Sequence, residues 1–144
     1  NRNTTKQKIK NSIKAITKSH KKRIILPVVS SYPTELKNTN LKQIQQLKQS
    51  HKQYLIGLSD HTHDIFSSIA SIPFGVVAIE KHFKINDKIT TEDSTFSITP
   101  EKLKSLKKNI VELHLSLNSN QKNVEKINKG LRRSIYAKKN IKNG

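Results

Sequence analysis

Residues 54–59, Tyr54-Leu55-Ile56-Gly57-Leu58-Ser59, form a short apolar run that leads directly into Asp60-His61-Thr62. Two further runs have the same character, one over residues 23–30 and one over residues 76–83. Nearly continuous apolar runs of this length are typical of strands that are buried on both faces of a parallel sheet. The sequence therefore predicts three parallel strands, and each of them ends in polar residues.

Amphipathic segments alternate with these predicted strands. Apolar side chains recur at helical spacing over residues 5–19, 41–47 and 99–117, and a shorter helix is predicted over residues 63–71, capped by Thr62. Helices between parallel strands form right-handed crossovers. The fold class is therefore α/β. Since three strands cannot close a barrel, we interpret the chain as the last three β–α units of a (β/α)8 TIM barrel.

The chain is strongly basic, with 28 Lys and Arg against 10 Asp and Glu and a formal net charge of +18. Such a charge raises the question of nucleic-acid binding. The lysines, however, are spread through every polar segment, whereas a binding surface would concentrate them on one face. We favour a solvated lysine surface, and a small basic nucleic-acid-binding protein is the alternative function.

Several classes of protein are excluded by composition. The chain has no cysteine, which excludes a disulfide framework and a thiolate zinc site. No apolar run approaches the roughly 20 residues that cross a bilayer. The first residues lack the apolar region of a secretory signal, and we expect a cytoplasmic protein. Because the chain also contains no methionine, we expect it to be a piece of a longer polypeptide.

Polar side chains follow each predicted strand, where α/β folds collect their functional groups. His61 and His82 are 21 residues apart, one β–α–β repeat, so we expect both at one rim on neighbouring strands. Two neutral imidazoles with open coordination positions suit a catalytic divalent ion, but imidazole alone does not select zinc or manganese. The alternative is that one or both are ordinary rim histidines that are hydrogen-bonded to the backbone. By spacing alone, Asp93 is a surface loop acid.

Three stretches of the chain resemble successive signatures of the sialic acid synthase family. They are Val29-Ser30-Ser31-Tyr32-Pro33-Thr34, Gly57-Leu58-Ser59-Asp60-His61-Thr62 and Ile79-Glu80-Lys81-His82-Phe83. Their order and spacing agree with the family, which includes N-acetylneuraminate, legionaminic acid and pseudaminic acid synthases. The similarity extends from about residue 5 to the end of the chain.

The resemblance implies a fold and a reaction. Residues 1–117 would be the C-terminal portion of the synthase barrel, residues 118–130 a linker, and residues 131–144 the start of a small antifreeze-like domain. Family members are homodimers that condense phosphoenolpyruvate with an N-acylated amino sugar, such as N-acetylmannosamine, and release phosphate. The chain alone is expected to be inactive, because the first five barrel strands would carry the groups that hold phosphoenolpyruvate.

The resemblance also implies roles for individual residues. His61 and His82 would hold a divalent metal, usually manganese, that acts as a Lewis acid on the sugar aldehyde. Phosphoenolpyruvate would be bound by Ser59 and by Ser30, which stands where the bacterial N-acetylneuraminate enzyme has Asn. Tyr32 and Asp93 would contact the sugar. Residues 90–93, Thr90-Thr91-Glu92-Asp93, replace the usual Pro-Gly-Pro-Asp, so the identity of the sugar stays open.

Overall fold

The computed structural model describes residues 6–16, 23–119 and 136–142. The helices are α1 (Lys6–Ile16), α2 (Lys42–Ser50), α3 (Phe66–Ser71) and α4 (Pro100–Asn118), with short 3-10 helices at Leu36–Asn38 and Ile72–Phe74. The strands are β1 (Ile24–Ile25), β2 (Leu55–Ile56), β3 (Leu58–Asp60) and β4 (Ile79–Lys81). Most of the predicted linker over 118–130, and half of the predicted antifreeze-like segment over 131–144, lie outside the described residues.

The strands run parallel, as the sequence predicts. β1 pairs with β2, and β3 pairs with β4. β2 and β3 are one stretch of chain interrupted only at Gly57, and Val28 adds a parallel bridge to Ser59. The middle segment therefore lies between the first and the third, and the protein is an α/β fold.

The first strand is shorter than the predicted run over residues 23–30. The carbonyl oxygens of Ile25 and Pro27 accept hydrogen bonds from the backbone N–H groups of Gly57 and Ser59, at 2.9 and 3.1 Å. Proline has no N–H with which to return a bond to the middle strand. The regular ladder therefore ends at Ile25 and continues only as the bridge at Val28.

The segment between β4 and α4 contributes two buried side chains. Phe96 and Ile98 are 2% and 1% exposed. Ile98 forms a parallel bridge with Phe83, and its N–H donates to the carbonyl oxygen of His82 at 2.9 Å. The loop therefore returns to the end of β4 and packs against it.

Helix α3 begins at Phe66, three residues later than predicted, and Thr62 does not cap it. The hydroxyl of Thr62 donates instead to the carbonyl oxygen of Asp64. Helix α4 begins as predicted, with the Thr99 side chain accepting from the N–H of Lys102. None of the helices in the described part of the chain is long and apolar enough to span a membrane.

The main core lies between α2 and the sheet. Ile44 and Leu47 from α2 and Ile56 from β2 are buried together. Further apolar side chains pack around them, namely Ile9, Ile25, Leu41, Phe74 and Val76. This cluster packs against β1 and β2, whereas the carboxyl ends of the strands carry polar residues.

Gly57 lies between the first and third strand segments, which leave no room for a side chain at this position. We therefore expect Gly57→Ala to destabilise the fold. The added methyl group would overlap Leu26 Cδ2 and lie 2.6 Å from the carbonyl oxygen of Ala78. Overpacking of this kind costs about 1–3 kcal/mol of unfolding free energy. Urea denaturation followed by circular dichroism measures it.

The matched control is Val77→Ile, which adds one carbon at a side chain that is 53% exposed. Substitutions at such positions change the unfolding free energy by no more than about 0.5 kcal/mol. Equal losses in the two variants would contradict the assigned role of Gly57.

Candidate functional site

The register of β3 and β4 arranges the side chains at the ends of these strands. Ser59 lies opposite Glu80, and Asp60 lies opposite Lys81. Because successive side chains of a strand point to opposite faces, the two pairs lie on opposite faces of the sheet. Ser59 Oγ donates to Glu80 Oε1 at 2.7 Å, and Lys81 Nζ lies 3.3 Å from Asp60 Oδ2. Each face therefore carries its own polar contact between the strands.

Four rings cluster beyond the strand ends. The ring centroids of His61 and His82 are 5.2 Å apart, with their planes inclined by 68°. Tyr32 stacks on His61 at a centroid distance of 4.3 Å, and Phe96 meets the edge of His82 at 4.8 Å. The two histidines, which we expected at one rim from their spacing in the sequence, thus lie side by side.

Each of the two histidines has an oxygen atom close to its Nδ1 nitrogen. His61 Nδ1 lies 3.2 Å from the carbonyl oxygen of Val29, and His82 Nδ1 lies 3.3 Å from Asp93 Oδ2. A carbonyl oxygen only accepts, so Nδ1 of His61 donates and its Nε2 is an acceptor when the ring is neutral, whereas His82 makes an ion-pair contact with Asp93. Metal-binding imidazoles are typically held in this way by their second nitrogen.

The predicted substrate-binding residues are distributed unevenly around this pair. Ser59 is buried, with its hydroxyl oxygen 3.3 Å from His61 Nε2, while the Tyr32 residue is 57% exposed and the Asp93 side chain 54% exposed. Ser30 is exposed at the end of the first strand segment. The structure therefore brings Tyr32, Ser59 and Asp93 into contact with the histidines and leaves Ser30 at the surface.

Two residues of the site, Glu80 and Phe96, received no role from the sequence. Glu80 was detectable, because it follows Ser59 by the same 21 residues that separate His61 from His82. Phe96 was not, since a single aromatic residue in a polar loop has no periodic pattern around it.

A buried ion pair occupies the opposite face of the strands. The side chains of Lys81 and Asp60 are 4% and 0% exposed. The Asp60 carboxylate also accepts from Ser68 Oγ and from the N–H of Thr62, and Lys81 Nζ donates to the carbonyl oxygen of Thr62 at 2.8 Å. Burial lowers the pKa of Lys81, and the charge of Asp60 opposes that shift. The network fixes the backbone directly after His61.

The histidine pair has the spacing of two ligands of one ion. Imidazole nitrogens bind a divalent ion at about 2.1 Å, which places the centroids of two neighbouring rings roughly 5 Å apart, and the observed separation is 5.2 Å. In the described part of the chain, no group of three or more His, Cys, Asp or Glu side chains is arranged to hold a metal. Two imidazoles at this separation can each supply one nitrogen to a divalent ion.

The fold and the rim residues define an α/β protein with a histidine pair at the carboxyl ends of parallel strands. The model of the NeuB family matches residues 3–122. The chain belongs to the NeuB family, and the resemblance to sialic acid synthases is confirmed.

Individual relatives agree with this assignment. The chain is 33% identical over 124 residues to pseudaminic acid synthase of Campylobacter jejuni, with 84% of this chain and 36% of that protein covered. It is 32% identical over 147 residues to N,N'-diacetyllegionaminic acid synthase of the same species, with 94% and 42% covered. It thus spans less than half the length of these two relatives.

A solved structure shows the same fold. The N-acetylneuraminic acid synthetase of Leptospira borgpetersenii superposes with a TM-score of 0.75 at 26% identity, over 91% of this chain and 48% of that one. The spore coat polysaccharide biosynthesis protein SpsE of Bacillus subtilis gives a TM-score of 0.70 at 24% identity, over 81% and 34%. The three-stranded arrangement is therefore that of NeuB-type synthases.

Removal of the buried ammonium group should destabilise the protein strongly. In Lys81→Met the carboxylate of Asp60 stays buried without its counter-charge, and breaking such a pair costs about 3–5 kcal/mol of unfolding free energy. Urea or thermal denaturation followed by circular dichroism measures the loss.

The control for this variant is Lys37→Met, which removes a lysine from an ion pair with Glu35 whose side chains are 77% and 64% exposed. Exposed pairs contribute only about 0–1 kcal/mol. A loss in Lys81→Met no larger than in Lys37→Met would show that the buried pair contributes little.

Proposed function

We propose that this chain supplies the metal-binding rim of a nonulosonic acid synthase, which condenses phosphoenolpyruvate with an N-acylated amino sugar and releases phosphate. The supporting observation is the pair His61 and His82, whose rings lie side by side with Nδ1 of His61 bonded to Val29 and Nδ1 of His82 in contact with Asp93. Membership of the NeuB family supports the class of reaction.

The barrel assignment is part of the same proposal. The three parallel segments would be the last three β–α units of a (β/α)8 barrel, followed by a linker and the start of an antifreeze-like domain. The lengths of the relatives support this, because the chain covers 36% and 42% of the two Campylobacter synthases. Residues beyond those of this chain would complete the active site, and the complete enzyme would be a cytoplasmic homodimer.

The two histidines would hold a divalent ion, and we propose manganese. Val29 accepts from Nδ1 of His61, and the Asp93 carboxylate lies 3.3 Å from Nδ1 of His82, so each ring has an oxygen that holds its orientation. When bound, the ion supplies Lewis acidity toward the aldehyde oxygen of the sugar. Phe96, which is 2% exposed and packs against the edge of His82, excludes water from one side of that ring.

The hydroxyl and carboxylate groups around the pair would bind the substrates. Ser59 and Ser30 lie at the ends of neighbouring parallel segments, where their hydroxyls can donate to the phosphate or carboxylate of phosphoenolpyruvate. Tyr32, exposed above His61, and Asp93, half exposed beside His82, are accessible to the hydroxyl groups of an amino sugar. The binding groups therefore surround the imidazoles on both sides.

Titration calorimetry with Mn²⁺ at neutral pH tests the metal site. The parent chain should bind the ion, and His61→Ala and His82→Ala should each lower the affinity at least about tenfold, since loss of a ligand costs more than loss of a supporting hydrogen bond. His114→Ala, in an exposed part of α4, is the matched control and should bind like the parent. Circular dichroism establishes that each variant is folded. A folded parent that binds no Mn²⁺ would contradict the proposal.

A second measurement concerns activity. The purified chain, given phosphoenolpyruvate, N-acetylmannosamine and Mn²⁺, should release no phosphate above background, because the groups that hold phosphoenolpyruvate would come from the other barrel strands. A full-length sialic acid synthase assayed in parallel is the positive control. Formation of sugar acid by the chain alone, detected by mass spectrometry, would contradict the barrel assignment.

A further inference from the structure

The hydroxyl of Ser59 stands between two acceptors. Its oxygen lies 2.7 Å from Glu80 Oε1 and 3.3 Å from His61 Nε2. A serine hydroxyl has a single proton, so it can donate to only one of them at a time. We propose that, in the absence of phosphoenolpyruvate, Glu80 is a positioning residue that holds the proton of Ser59 and thereby keeps His61 Nε2 open for the metal. This inference rests on the proposed metal-binding function of His61.

The geometry favours Glu80 as the acceptor. Ser59 Oγ lies 2.7 Å from Glu80 Oε1 but 3.3 Å from His61 Nε2, so the contact to the carboxylate is the shorter one. Hydrogen bonds to an ionised acceptor are also about twice as strong as those between neutral groups. The proton of Ser59 therefore lies on the side of Glu80 and away from the imidazole.

The proton of His61 is fixed independently. Its Nδ1 donates to the carbonyl oxygen of Val29, so Nε2 carries a lone pair. With the Ser59 proton directed at Glu80, the contact between Ser59 Oγ and His61 Nε2 brings two lone pairs together. Such a contact is relieved when a cation approaches the nitrogen, whereas a hydroxyl proton pointing at Nε2 would compete with the cation.

The pairing of β3 with β4 places the Glu80 carboxylate within reach of the Ser59 hydroxyl. Ser59 and Glu80 are opposite each other in the register of β3 and β4, so their side chains share a face. Asp93 contacts His82, and Asp60 lies on the opposite face with Lys81. The acceptor for Ser59 is thus set by the strand pairing.

A double-mutant cycle on the 144-residue chain tests the proposal, with Mn²⁺ as the probe and without phosphoenolpyruvate. In Glu80→Ala the Ser59 hydroxyl turns to His61 Nε2, and the affinity for Mn²⁺ should fall about three- to tenfold, the effect of one competing hydrogen bond. In the Ser59→Ala background no proton competes, so adding Glu80→Ala should change the affinity less than twofold. An equal fall in both backgrounds would overturn the proposal, since Glu80 would then act through its charge.

Nitrogen NMR of the histidine rings gives a readout that needs no metal. In the metal-free parent, His61 Nε2 should resonate as an unprotonated nitrogen without a hydrogen-bond donor. Glu80→Ala should move it toward lower frequency, the direction produced by accepting a hydrogen bond, and Ser59→Ala should leave it in place. His61→Ala assigns the signal.

These outcomes separate the inference from the proposed function. A parent that binds no Mn²⁺ would contradict the metal site, while the nitrogen shift would still report whether Glu80 holds the Ser59 proton. If Glu80→Ala does not fold, the Ser59→Ala comparison decides by itself. A shift of His61 Nε2 on removal of Ser59 would show that the proton already lies on the imidazole, and the proposal would be wrong.

Discussion

The parallel pairing of β3 with β4 is the constraint on which the rest of the site depends. Its register places Ser59 opposite Glu80 and Asp60 opposite Lys81, and it brings the next residues along the chain to the same rim. A slip of one residue would exchange the two faces of a strand. Lys81 would then leave the face on which Asp60 lies, and the imidazoles would no longer lie side by side.

The buried pair of Asp60 and Lys81 opposes such a slip. Its net stabilisation relative to an apolar pair is small, because removing two charges from water costs about as much as their attraction returns. A slipped strand, however, would leave both charges without their partners, and that state is strongly disfavoured. The network also includes Ser68 in α3 and the backbone N–H and carbonyl oxygen of Thr62. It therefore fixes where the chain turns after His61. The ion pair therefore favours the observed register of β3 and β4 over a slipped one.

The sequence predicted those features that depend on spacing along the chain. The order of strands followed from three apolar runs, and the proximity of His61 and His82 followed from their separation by one β–α–β repeat. Contacts that join distant segments without periodicity were not predictable. The return of the 84–98 loop to β4 depends on the bridge between Phe83 and Ile98, and nothing in the local pattern identifies that pair.

The two histidines are held by different parts of the fold. His61 is oriented by the carbonyl oxygen of Val29, which belongs to the first strand segment, and by the stacked ring of Tyr32. His82 is oriented by the carboxylate of Asp93, which lies in the loop, and the loop is positioned by the burial of Phe96. Variation at Asp93 therefore acts directly on the imidazole of His82, whereas His61 has its own partners, Val29 and Tyr32. If Asp93 also contacts the sugar, as we propose, the residue that binds the substrate is the one that sets the orientation of His82, and recognition of the sugar is coupled to the geometry of the metal site.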